Sequence, residues 1–111
     1  MAEAERTLVK SLPELWEMLD EPKRMHGLIC ALVGRAVEVR VVSREPEQRL
    51  HWEADLADEV ASIEVRMEEK GWGTHVEIEA VRAHEEGLDD WLEAVMEELS
   101  EPGRRPFQGI V

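Results

Sequence analysis

The sequence predicts an α+β domain: an antiparallel β-sheet curved around a long C-terminal helix, preceded by an N-terminal strand and then a short helix or helices. Three observations predict it. Four consecutive segments alternate apolar and charged residues with a period of two, as strands with one buried and one wet face do. The last segment changes to a helical period, with Leu88, Trp91, Leu92, Val95, Met96 and Leu99 in one apolar stripe. The strand connections are short, "REPEQ", "ADE" and "KGWGT", as antiparallel neighbours allow.

Along the chain, "RTLVK" at Arg6–Lys10 reads as a first short strand. Ser11-Leu-Pro13-Glu14 then opens a helix. Ser11 can cap a free N–H, Glu14 stands three residues on, and Pro13 is tolerated in the first turn. Leu12, Leu15, Trp16 and Leu19 share its apolar face, and Asp20-Glu21-Pro22 ends or bends it. Lys23–His26 reads as one further helical turn before Gly27. The four strands follow, with Val37, Val39 and Val41 inward on the first and Leu50, Trp52, Ala54 and Leu56 on the second. Ala61, Ile63, Val65 and Met67 face inward on the third, and Val76, Ile78 and Ala80 on the fourth. Gly71-Trp72-Gly73-Thr74 resembles a phosphate loop, but such a loop leads into a helix whose amides hold the anion. This one leads into a strand, so it reads as a hairpin turn with glycines at positive φ. Residues 1–102 read as one domain and 103–111 as a C-terminal tail, basic and then apolar.

Composition narrows the function. The chain has 111 residues, 43% of them hydrophobic, enough for one core without staples. Its net charge of −13 comes from 26 acidic and 13 basic residues. Nucleic acid and anionic membrane surfaces both select clustered Lys and Arg, so neither is an expected partner. Cys30 is the only cysteine, which rules out an internal disulfide and fits a reducing compartment. With no signal-like N-terminus and no apolar run longer than "LICALV", a cytoplasmic protein is expected, without membrane insertion.

Three stretches in order resemble a known family: "SLPELWEMLDEP", "GRAVEVRVVSREPEQRLHWE", and "GWGTHVEIEAV" before "LDDWLEAVMEEL". The chain resembles a short member of the START-like, or SRPBCC (polyketide cyclase-like), helix-grip superfamily. Members usually carry a second helix and one or two further strands before the segment matching "GRAVEV". Here only Met25–Val33 fills that gap. Either "LICALV" is one shortened strand, or part of the sheet is absent and leaves an edge for a second subunit to cover.

The resemblance implies a cavity for a small hydrophobic molecule between the sheet and the last helix. Its expected lining is Trp16, Met25, Cys30, Val39, Trp52, Met67, Ile78, Trp91 and Val95. The inward residues of the four strands include no acid, base or nucleophile, so binding without catalysis is expected, with no cofactor and no metal. Filling of the core by Trp16, Trp52 and Trp91 competes with that pocket. A cyclase- or aromatase-type enzyme would depend on His26 and Cys30. A protein-interaction module, such as a homodimer, would use a sheet edge or the "RRPF" tail. His75, Glu77 and Glu79 share a strand face that a metal could use, but a solvated charge row is the expected reading.

Overall fold

The structure, a computed structural model, describes residues 1–83 and 87–100. The elements are β1 (Ala2–Leu8), α1 (Leu12–Leu19), α2 (Pro22–Val33), β2 (Glu38–Glu45), β3 (Arg49–Asp55), β4 (Val60–Lys70), β5 (Gly73–Val81) and α3 (Leu88–Ser100). The strands form one antiparallel sheet in the order β1-β5-β4-β3-β2. This is the expected architecture, with α3 against β1 and β5. The proposed tail, 103–111, lies outside the described residues, as do residues 84–86, read from the sequence as a loop.

The period-two pattern sets which face is buried. Leu50, Trp52 and Ala54 of β3 pair in register with Val65, Ile63 and Ala61 of β4. Ile63, Val65 and Met67 pair in turn with Ala80, Ile78 and Val76 of β5. All ten side chains are buried, and the stripe of α3 joins the same core. On the other face Arg66 bridges Glu64 and Glu77, and Arg49 bridges Glu45 and Glu64. Such exposed pairs each contribute about 0–1 kcal/mol, so the buried face carries the stability.

Four expectations need correction. "LICALV" is neither a strand nor a strand remnant: it forms the second half of α2. Glu21 caps that helix through the Lys23 N–H, Pro22 occupies its first turn, and Met25 and Ile29 bury one face at i, i+4. Gly27 does not stop the helix, because the loss of about 1 kcal/mol for an interior glycine is offset by that burial. Gly34, with φ of 88°, ends it in the left-handed conformation. A second helix therefore fills the gap between α1 and β2.

The first strand begins at Ala2 rather than Arg6, since Ala2 through Leu8 all pair with β5. In β2, Val41 pairs with Trp52 and Ser43 with His51, leaving Val42 as a bulge residue. Val41 itself keeps the expected register, yet it is 53% exposed instead of buried, because β2 is the edge strand of the sheet. Finally, only Gly71 of the hairpin glycines has positive φ (58°). Gly73 is needed for a different reason: a Cβ there would run into the backbone carbonyl of Leu8.

A cation joins α1 to the sheet edge. Arg44 sits over the Trp16 ring, 5.2 Å from its centroid, and binds both Asp20 carboxylate oxygens at 2.9 and 2.7 Å. The hydrogen bonds from Arg44 hold the Asp20 carboxyl below its ordinary range. A depressed carboxylate contributes stability above its unfolded value of about 3.9, and that contribution is lost as pH falls through the folded value. Denaturant titrations at pH 7 and pH 3 should therefore show a smaller acid-induced loss in Asp20→Asn than in the parent protein. Equal losses would contradict this role for the pair.

Candidate functional site

The cleft expected between sheet and last helix exists as a seam. It is lined by Ile29 of α2, Trp52 and Ala54 of β3, Ala61 and Ile63 of β4, and Trp91 of α3. Its free volume is about 10 Å³. That is room for at most one water, against several hundred Å³ for a typical small-molecule pocket. The two indole rings and the flanking aliphatic side chains have filled the space.

Trp91 is fixed from both sides. Gly87, with φ of 85°, precedes α3, and the Gly87 carbonyl accepts from the Trp91 N–H at 3.2 Å. The Arg82 guanidinium lies 5.0 Å from the Trp91 ring centroid, a cation–π contact. Glu59 holds Arg82 at 3.5 Å and accepts from the Ala83 N–H at 2.6 Å. The Glu59 side chain is only 7% exposed, so this contact is partly desolvated.

Of the residues expected to line a pocket, the structure brings Trp52 and Trp91 together at the seam. Met25, Met67, Ile78 and Val95 are buried elsewhere in the same core. Trp16 is buried under Arg44, and Val39 is half-buried on β2. Cys30 lies away from the seam: its Sγ is 3.7 Å from both His26 Nε2 and the Val37 carbonyl. Sequence reasoning left Ile29, Ala54, Ala61 and Ile63 off the lining. Ala54, Ala61 and Ile63 already stood in the inward alternation, whereas Ile29 was hidden in the misread "LICALV".

The seam lining has no titratable group. His26 Nε2 is 3.0 Å from the Val37 carbonyl, which ties the ring to the chain entering β2. His26 and Cys30 therefore tie α2 to the chain entering β2, and among the described residues no third side chain orients them as a nucleophile and base.

Two other surfaces stand out. At the end of the sheet where β4 turns into β5, Trp72 is 100% exposed and Val9 93% exposed. These are the least covered large apolar side chains among the described residues, and Val9 adjoins Gly73. On the wet face, His75 and Glu77 of β5 meet Glu5 of β1 rather than completing a row with Glu79. Registers Thr7↔His75 and Glu5↔Glu77 bring them together.

No protein-family model and no curated protein sequence matches the chain. Solved structures do match in fold. MLL2253 from Mesorhizobium loti is 15% identical with a TM-score of 0.68, over 89% of this chain and 93% of that one. CV1439 from Chromobacterium violaceum is 10% identical with a TM-score of 0.68, over 89% and 94%. DynU16, from the dynemicin biosynthetic locus, is 14% identical with a TM-score of 0.64, over 89% of this chain and 45% of that one. The likeness shows a shared fold. No helix among the described residues is long and apolar enough to cross a membrane.

Proposed function

We propose that this chain is a non-catalytic helix-grip domain whose ligand cleft is occupied by its own side chains, and that it works as a protein-interaction module through its surface. The observation that carries this reading is the free volume of about 10 Å³ between Trp52 and Trp91. A buried site must hold most of a ligand's surface, and no drug-sized molecule fits that volume. The exposed Trp72 and Val9 supply the surface contact, since tryptophan is enriched among residues that dominate protein interfaces. The β2 edge suits a second copy poorly. It carries Glu38, Arg40, Arg44 and Glu45 and a bulge at Val42, and charge and bulging both oppose strand addition.

The second reading is the one expected from the sequence, binding of a small hydrophobic ligand between sheet and helix. Its support is the wholly apolar lining of the seam and the fold shared with DynU16. In this geometry it requires the Trp91 ring to swing out and release Arg82. A cyclase-like reaction lacks an acid or base at the seam and is the weakest of the three.

Titrating fatty acids, quinones, aromatic polyketides and other hydrophobic metabolites, while following Trp fluorescence and thermal stability, separates them. A ligand bound to the folded state must raise its apparent stability. The filled-core reading expects a flat response across the panel. A saturable shift in both signals would overturn it and restore the ligand reading.

A further inference from the structure

We propose that Glu5, His75 and Glu77 form a binding site for a divalent transition-metal ion on the wet face of the sheet. His75 Nε2 lies 3.6 Å from Glu5 Oε2 and 3.7 Å from Glu77 Oε1. All three candidate ligand atoms lie within 4.8 Å of one another. These two separations are too long for hydrogen bonds. They are close to the spacing of ligands that share one ion: bonds of about 2.0–2.2 Å in a tetrahedron put ligand atoms about 3.3–3.6 Å apart. Both carboxylates converge on a single nitrogen, whose one lone pair or one proton points in one direction. A cation between the three atoms satisfies them together.

Side chains outside the trio orient it. His75 Nδ1 is 3.2 Å from Thr7 Oγ1, which turns Nε2 toward the carboxylates. Arg66 binds Glu77 Oε2 at 3.3 Å and leaves Oε1 for the site. Outer partners of this kind set the tautomer and the basicity of metal ligands. Glu5 and Glu77 also border a surface recess of about 260 Å³ with Glu3 and Arg66, which leaves room for a water or small anion on the ion. One imidazole and two carboxylates suit zinc and its first-row neighbours better than calcium, which prefers an all-oxygen shell.

The test uses the untagged full chain, freed of metal by a chelator, at pH 7.5. Zinc is titrated by calorimetry, and Co²⁺ is followed by its electronic absorption. The expected result is one saturable site, with His75→Gln, Glu5→Gln and Glu77→Gln each weakening affinity at least about 10-fold. Thr7→Val should weaken it less, and Cys30→Ser should leave it unchanged, with no thiolate charge-transfer band from Co²⁺. The variants lie on an exposed face, and thermal unfolding confirms that they are folded. Absence of saturable binding would overturn the proposal. So would affinity unchanged by His75→Gln, or binding that Cys30→Ser abolishes, which would move the ion to His26 and Cys30.

Discussion

Trp91→Ala should lower stability by about 3–5 kcal/mol, the usual cost of removing a buried indole, and should create a binding site where the parent protein has none. Two effects add. The indole is buried in the core, and the Arg82 guanidinium above it loses its π partner while still held by Glu59. Domains of this size have about 5–15 kcal/mol in hand, so the variant should fold at low temperature. The hole it leaves is lined by Ile29, Trp52, Ala54, Ala61 and Ile63, and apolar cavities of that kind stay dry and accept small aromatic molecules. Indole should therefore raise the melting temperature of Trp91→Ala and leave that of the parent protein unchanged. Equal stabilisation of both proteins would mean that the parent seam already opens.

Gly73→Ala should cost about 2–3 kcal/mol through an unrelated mechanism, forced overpacking. The new Cβ meets the Leu8 carbonyl carbon and oxygen, which are backbone atoms and cannot rotate away as a side chain would. β1 must separate from β5 at Leu8↔Thr74, the pair closest to the hairpin. The Thr74 hydroxyl, buried and donating to the Lys10 carbonyl at 2.8 Å, is disturbed at the same point. Gly71→Ala provides the comparison. It meets nothing within 4 Å and suffers only from its positive φ, about 1–2 kcal/mol. Chemical denaturation of the two variants should rank Gly73→Ala as the more damaging. The reverse order would mean that β1 yields easily at Leu8.

Much of the fold was legible because burial and period are local properties of the chain. Trp52, Ile63 and Ile78 announce their face by alternation, and Leu88–Leu99 announces a stripe. The Ser11 cap was equally visible, and its hydroxyl accepts from the Glu14 N–H at 3.3 Å. "LICALV" was not legible, since a six-residue apolar run fits a buried strand and half a helix equally well. Its helical character comes from Pro22 and Glu21 upstream and Gly34 downstream.

The candidate sites were less legible, for a different reason. Trp52 and Trp91 were readable as inward, but whether two indoles leave a cavity depends on packing to within a few Å. The meeting of Glu5 with His75 depends on the β1–β5 register, and the alternation of "AEAERTL", carried by two small alanines and broken at Arg6, gives a face but not a register. The glycine of Gly73 was visible, yet its cause lies in Leu8, far away in sequence. Val41 failed because it stands on the edge strand β2: it keeps the expected register opposite Trp52, but a sheet edge is covered on one side only.

The most direct test of the filled seam is a crystal structure of the parent protein under xenon pressure, with Trp91→Ala as its partner experiment. Xenon enters apolar cavities without needing a polar partner. The account predicts no xenon between Trp52 and Trp91 in the parent and clear occupancy there in the variant. Xenon bound at the seam of the parent protein, beside an undisplaced or swung Trp91, would contradict it and make ligand binding the better reading.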